Sequence, residues 1–352
     1  MTLALYLFVA LLTLASLLPV WQREAWWIRV FDFPRVQIMT LGLIAAALLI
    51  AGAELFTWHG LLALTATLAA VVLQGARIFT YTSLARKEVR GARQCPEATC
   101  LALLVANVRM ENRQAERLLA LVHRYPADVL LLLEPDAWWE RQMQPMEAEY
   151  GYALKRPLDN RYGMLMYSRL PLRQAEVHFL IREGIPSFHA QVQLRGGTWV
   201  WLHAVHPEPP SPTEADTSLP RDVELLVVGR AVAQRGEPAV VAGDLNDVAW
   251  SYTTTLFQKM SGLLDPRKGR GMFNTFHAKI PFLRWPLDHV FHSREFLLCE
   301  MRRLPAFGSD HFPVFVRLAY QPDAAALQRA PDARAEDRET AQAKMAKAGK
   351  KR

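Results

Sequence analysis

Residues 101–134 read LALLVANVRMENRQAERLLALVHRYPADVLLLLE. LALLVAN at 101–107 and DVLLLLE at 128–134 are short apolar runs that close on a polar residue, the pattern of strands buried on both faces. Between them, Glu111 to Arg124 has helical spacing, with Ala115, Leu118, Leu119 and Val122 on one face. The stretch predicts strand, helix, strand, with Asn107 and Glu134 carried to two strand ends.

Outward from this unit the same grammar continues. Strand-like runs lie at 163–168 (GMLMYS), 198–205 (TWVWLHAV), 238–243 (PAVVAG), 287–292 (LDHVFH) and 313–319 (PVFVRLA), and a helix fits 221–234. Strands alternating with helices predict either two packed sheets with helices outside or a doubly wound sheet.

The polar residues at the strand ends carry the chemistry. Asn107 and Glu134 close the first two strands, and His206 follows WVWLHAV. Asp244 and Asn246 stand in GDLND, Asp288 opens LDHVF, and Asp310 with His311 precedes PVFVRL. Any one of these alone reads as a turn former or a cap. Together they bring carboxylates, amides and imidazoles to six strand ends, where a rigid scaffold makes side chains converge. Phosphoester cleavage needs that mixture. Hard oxygen ligands hold Mg²⁺ or Mn²⁺, a carboxylate orients and deprotonates water, and imidazoles donate to the phosphate oxygens.

In order and wording, LLVANV, LLLLEPD, AVHPEPP, AGDLND, PLDHVF and GSDHFPV resemble the motifs of the endonuclease/exonuclease/phosphatase superfamily, and YGMLMYSRLPL at 162–172 resembles its G-x-x-x-x-S-R-x-P segment. The resemblance spans residues 101–319. It implies an α+β fold, a four-layer sandwich of two mixed sheets flanked by helices. It further implies that Glu134 is the principal metal ligand, with Asn107 and Asp310 completing or supporting the shell. Asp244 would activate the attacking water, Asn246 would bind phosphate, and His206 and His311 would hydrogen-bond its oxygens, with Asp288 orienting one of them. His203, three residues before His206, shares a strand face with Trp199 and Trp201 and reads as a packed histidine. The proline segment after His206, PEPPSP, reads either as an extended wall on one side of the cleft or as a plain linker loop. The segment 269–286, with Arg270, Lys279 and Arg284 among aromatics, reads first as an ordinary surface loop, and as a contact to a phosphate headgroup or a base in the alternative.

The N-terminal part is different in kind. Residues 2–20 hold no charge, a second apolar run covers roughly 36–53, and a third runs from Leu61 to Leu73. Trp21, Trp26, Trp27 and Phe31 alternate with Arg23, Arg29 and Arg35, as at a membrane–water interface. The expected organisation is three transmembrane helices in 1–80, a basic juxtamembrane linker at 81–97, a catalytic domain at 98–320 and a disordered tail at 321–352. Basic residues follow the first and third runs, while the short loop after the second has only Glu54 and His59. The positive-inside rule therefore places the catalytic domain in the cytoplasm, on a multi-pass anchor in the cell's inner membrane.

Residues 1–97 carry eight Lys/Arg against five Asp/Glu, and so do residues 321–352, which leaves 25 against 24 in the middle. A nearly neutral domain is a poor gripper of long duplex DNA. Three cysteines, Cys95, Cys100 and Cys299, do not make a disulfide framework, and free thiols are the expectation, with a Cys95–Cys100 pair the alternative. The sequence thus predicts a membrane-anchored Mg²⁺- or Mn²⁺-dependent phosphoesterase acting on a small phosphodiester or a lipid headgroup. The rivals are a tethered nuclease acting on DNA or RNA and a catalytically silent binding module.

Overall fold

The computed structural model describes residues 2–52 and 56–349; Glu54, part of the orientation argument, lies outside them. The chain opens with helix α1 (Thr2–Leu17), a four-residue helix α2 (Trp26–Arg29), α3 (Arg35–Ala51) and α4 (Trp58–Ile78). Then come β1 (Cys100–Asn107), α5 (Ala115–Arg124), β2 (Val129–Leu133), α6 (Ala137–Met143), β3 (Tyr152–Arg156), β4 (Met164–Ser168), β5 (Leu172–His178), β6 (Ser187–Gln193) and β7 (Trp199–Ala204). The chain ends with α7 (Leu219–Arg235), β8 (Ala239–Asp244), α8 (Tyr252–Ser261), β9 (Asp288–His292), β10 (Phe296–Arg303), β11 (Val314–Tyr320) and α9 (Ala335–Gly349).

The strands form a six-stranded sheet, β10-β11-β1-β2-β4-β3, and a five-stranded sheet, β5-β6-β7-β8-β9. Leu101, Leu103 and Val105 alternate inward from β1 to meet Phe188, Ala190 and Leu202 of the other sheet, while Ala102 and Leu104 face Leu118 and Val122 of α5. Every residue of β1 and β2 is therefore buried, which is why both read as unbroken apolar runs. On the far side, Leu225, Val228 and Phe257 of α7 and α8 cover Val205, Val241 and Phe291. Helices, sheet, sheet and helices make the four-layer α+β sandwich, and the doubly wound alternative is excluded.

The topology gathers the polar strand ends. β1 and β2 run parallel, as do β7 and β8, so Asn107 lies beside the end of β2 and the ends of β7 and β8 adjoin. β9 is antiparallel to β8 with Asp244 opposite Asp288, and β11 is antiparallel to β1, which returns Asp310 and His311 to the Asn107 end.

Two expectations are corrected. Residues 321–349 are not a disordered tail. Gln328 bonds the carbonyls of Arg294 and Phe296, and α9 docks on α7 and α8 with Ala341 buried and Lys344 Nζ 2.8 Å from Asp222. Nor is 81–97 a free linker: Val89 is buried in the inter-sheet core, and Ala92 N donates to Leu298 O. Small periodic contacts like these leave little trace in composition. The cysteines also differ from expectation, since Cys95 is bonded to Cys299 across 204 residues and Cys100 stays free and buried.

Two helices, Leu3–Val20 and Trp58–Tyr81, are long and apolar enough to cross a membrane. Trp26–Asp32 and Arg35–Ala51 qualify as a third span only if taken together across a 71° bend.

Candidate functional site

A recess of about 310 Å³ opens where the strand ends of the two sheets meet. Glu134, Asp244, Asn246, Asp310 and His311 line it, together with Arg109, Glu111, Arg161, Phe33, Pro209, Pro210, Phe276 and Leu287. Asn107, His206 and Asp288 stand outside that lining, each almost fully buried. All eight residues singled out in the sequence thus sit at or beside one concavity.

Local backbone sets their aim. Four residues of the recess, Arg109, Glu134, Arg161 and Asn246, are non-glycine residues with positive φ, out of six such among the described residues. Side chains other than glycine rarely adopt that conformation, and it concentrates where function over-determines the backbone. Gly243 has φ +147°, and a Cβ there would lie 1.9 Å from Val205 O, so the chain entering Asp244 passes against β7 with room for hydrogen alone. Gly163 is similarly tight against Pro135 O, and its own carbonyl accepts from Glu134 N at 2.9 Å.

Asn107 directs its amide nitrogen to Glu134 Oε1 at 2.7 Å and Asp244 Oδ2 at 3.1 Å, while its carbonyl oxygen accepts from Arg109 N. It holds the carboxylates in place instead of pointing an oxygen into the recess. Asp244 Oδ1 accepts from Asn246 N at 2.9 Å, and Asn246 Nδ2 donates to Pro207 O at 3.0 Å. His311 Nδ1 lies 2.8 Å from Asp288 Oδ2, and its Nε2 lies 3.5 Å from Asp244 Oδ2. Asp310 faces Arg109 at 3.2 Å.

Charge is unevenly balanced here. Burial works against a charged imidazole, yet the carboxylates of Asp288 and Asp244 more than offset it and push His311 up to about 10. Burial pushes Glu134 up to about 7 in spite of the Asn107 hydrogen bond and the His311 charge. It raises Asp244 as well, with Asp288 adding to the shift. Burial lowers His206, which is therefore neutral, and its Nδ1 has no partner. Asp288 Oδ1 is also buried without one.

Among the described residues Asp244, Asp288 and His311 form a group of possible metal donors, with one ligand atom from each within 4.8 Å of the others. These are the residues expected to be catalytic, and a His311 that keeps both protons is a hydrogen-bond donor, not a ligand. Among the described residues Glu134 has no direct ion-pair partner, only the longer-range charge of His311. Beside Asp244 and Asp310 it offers hard oxygen donors, the set that suits Mg²⁺ or Mn²⁺.

Sequence reasoning missed the supports. Ser309 Oγ donates to Asn107 O at 2.8 Å and accepts from His311 N at 3.1 Å. Arg221 Nη1 donates to Asn246 O at 2.8 Å. Arg109 and Arg161 were missed too, although Arg161 immediately precedes the YGMLMYSR motif. Of the basic residues in 269–286, Arg270 bonds Val89 O and Arg284 bonds Ala278 O, so both are used within the chain.

The profile of the endonuclease/exonuclease/phosphatase family matches residues 104–311, more than half of the chain. The protein belongs to this family. Its members are hydrolases of phosphoester bonds that use divalent metal ions, and that broad class is this chain's. Among known structures, it superposes on an endonuclease/exonuclease/phosphatase from Beutenbergia cavernae with TM-score 0.52 and 19% identity over 63% of this chain and 72% of the other. It superposes on D. rerio TDP2 complexed with single strand DNA product with TM-score 0.53 and 17% identity over 62% and 99%. A Bacteroides vulgatus family member gives 0.51 and 16% over 63% and 100%. These likenesses show the fold. No curated protein matches the chain.

Proposed function

We propose that this protein is a membrane-anchored phosphoesterase that hydrolyses a small or membrane-associated phosphoester by metal-assisted attack of water. The observation that carries the reading is the convergence of Glu134, Asp244, Asn246, Asp310 and His311 on one recess, with Glu134 half-buried and held by Asn107 beside the His311–Asp288 pair. Glu134 would hold Mg²⁺ or Mn²⁺, supported by Asn107 and joined by Asp310. Bound there, the ion would supply positive charge against the phosphate and the departing ester oxygen.

Asp244 accepts the proton of the attacking water as the new P–O bond forms and the ester P–O bond breaks. The leaving oxygen departs with the bonding pair and takes a proton from solvent. Asn246 keeps one amide hydrogen for a phosphate oxygen after its bond to Pro207. His311, held protonated by Asp288, donates from Nε2, and His206 supplies a neutral imidazole.

A nuclease reading has Arg109 and Arg161 at the recess in its favour, as well as the single strand DNA product in the D. rerio structure. The small recess and the balanced charge of residues 98–320 favour a smaller substrate. A silent binding module would have no use for bringing Glu134, Asp244, Asn246, Asp310 and His311 together on one recess.

Residues 1–80 serve as the anchor, and residues 98–320 carry the chemistry. The basic segments after the first and third runs favour a cytoplasmic domain, whereas the Cys95–Cys299 bond favours an oxidising compartment. We place the domain in the cytoplasm. A reporter active only there, fused after Tyr320, should work; activity of a periplasm-only reporter instead would reverse the placement. The function is tested on the full chain in detergent, with Mg²⁺ or Mn²⁺, against phosphodiesters, phosphomonoesters, lipids and DNA. Turnover of a small or lipid phosphoester that EDTA abolishes is expected. A kcat/KM for plasmid well above all others would overturn the substrate assignment.

A further inference from the structure

We infer that the loop His277–Arg284 is a membrane-docking element, and that the recess it borders takes the headgroup phosphate of a bilayer phospholipid. This rests on the phosphoesterase reading and names its substrate class.

The loop reads HAKIPFLR, and its apolar side chains point away from the protein: Ile280 is 40% exposed, Phe282 83% and Leu283 43%. It is nonetheless ordered. At its base Phe276 and Trp285 bond backbone to backbone, and His277 N donates to Leu283 O at 2.7 Å. At its tip Phe282 O accepts from Gln37 Nε2 at 2.7 Å. Gln37 is in the first turn of α3, so the exposed phenyl ring sits beside the start of an apolar helix.

Other features fall at the same level. α1 ends, α3 begins and α4 ends on the side where the catalytic domain sits, and Trp21, Trp27, Val30 and Phe79 are about half-exposed there. Half-exposed tryptophans around one end of an apolar helix bundle form the belt expected at a headgroup boundary. The loop continues that belt, with exposed Lys279 able to reach anionic headgroups. A bare apolar tip of this kind would be a liability in water, whereas the bilayer met by the helices covers it.

The loop is also joined to the recess. Trp285 packs edge-on against Phe33 at 5.6 Å, Phe276 lies 5.0 Å from the His311 ring, and Phe33 and Phe276 both line the recess. One edge of the recess is thus the anchor itself, while Arg109 and Arg161 stand in the same lining. A lipid whose acyl chains stay in the bilayer can bring its phosphate over Phe33 to Glu134 and His311 without leaving the membrane. A soluble phosphoester enters the same recess from water and does not need the loop.

The test uses the full chain in mixed micelles with Mg²⁺. Wild type and the Ile280→Asp/Phe282→Asp double variant are compared on a phospholipid at varied mole fraction and on bis(p-nitrophenyl) phosphate. The variant should lose about tenfold or more in kcat/KM on the lipid and stay within about twofold on the soluble ester. In vesicles of acyl-brominated lipid, Phe282→Trp should show more quenching than the wild-type protein with its ten tryptophans. An unchanged lipid rate, equal loss on both substrates, or no added quenching overturns the inference. Wild-type turnover of the soluble ester with no phospholipid cleaved overturns it and leaves the phosphoesterase reading intact. Turnover of neither, with Mg²⁺ or Mn²⁺, overturns that reading itself.

Discussion

Two groups of charge lie close together around the start of β9, and they are built on different terms. Asp265 and Arg267 are fully buried and meet fork to fork, with Nε 2.9 Å from Oδ1 and Nη2 2.7 Å from Oδ2. Burial pulls the Asp265 carboxyl up, but Arg267 more than offsets it and holds the group below its ordinary value. Arg267 also bonds His289, whose other ring nitrogen bonds Asp247 O beneath the recess. Glu134 is only partly buried, at the wall of the recess, with an amide for its close partner; loss of solvent still drives its carboxyl up to about 7 against the pull of the His311 charge. A fold that neutralises Asp265 from within has left Glu134 to be neutralised from outside. We read the first group as scaffold and the second as the candidate site.

The largest effect that could break this contrast is catalytic. Glu134→Gln and Asp244→Asn should each lower metal-dependent hydrolysis by about 10²–10⁴-fold. Both are nearly isosteric and relieve repulsion among Asp244, Asp288, Asp310 and Glu134, so the melting midpoint in EDTA should stay equal or rise. Stabilisation by added Mg²⁺ should vanish in Glu134→Gln. Activity within a few-fold of wild type for either variant would remove it from the site.

Arg267→Met should behave in the opposite way. It strands Asp265 without a cation, and breaking one half of a buried pair costs about 3–5 kcal/mol. Denaturant unfolding of the reconstituted protein should show that loss, with or without metal. A loss below about 1 kcal/mol would mean that the pair is not structural and the contrast is false.

The histidines sharpen the comparison at a smaller scale. His203 is buried on the outer face of its sheet, stacked on Trp201 and 2.6 Å from the His189 ring. His206, three residues on, stands behind the recess. His206→Ala should lose about 10²-fold or more in turnover, while His203→Ala should mainly lower the melting midpoint. Turnover lost only in the His203 variant, at an unchanged midpoint, would mean that the motif is shifted by three residues.

Where the sequence was readable follows from burial. β1, β2 and β4 are enclosed on both faces and appear as apolar runs, and a polar residue ending such a run is conspicuous. β3, β5 and β10 were not anticipated. They are edge strands, partly exposed, whose polar residues hide the period of two. β6 does alternate Phe188, Ala190 and Val192 inward, but its histidine and glutamines mask the pattern. Site residues within motifs were legible, since each motif is a strand end. Arg221 and Arg267 were not, because their partners lie up to 26 residues away and only the fold brings them close. The docking of α9 likewise depends on Lys344 meeting Asp222 and Glu24.

The smallest effect concerns a third carboxyl, intermediate between the two groups. Glu224 in α7 is raised to about 8 by burial, with Glu208 adding to the shift, and its Oε1 has no partner. Like Glu134 it has no direct ion-pair partner among the described residues, yet it faces no recess, so the fold accommodates it as a neutral acid. Its folded-state pKa lies above the ordinary value of 4.5, so between pH 4.5 and about 8 the folded chain holds a proton that the unfolded chain has released. Stability therefore falls as pH rises through that window. Glu224→Gln removes the charge and with it this part of the slope. The melting midpoint of the variant relative to wild type should climb between pH 5 and pH 9, by an amount on the order of 1 kcal/mol or more at pH 9. Turnover should change little, because Glu224 is outside the recess. A difference in midpoint that stays flat across the range would show that Glu224 is ionised in the folded protein and has found a cation.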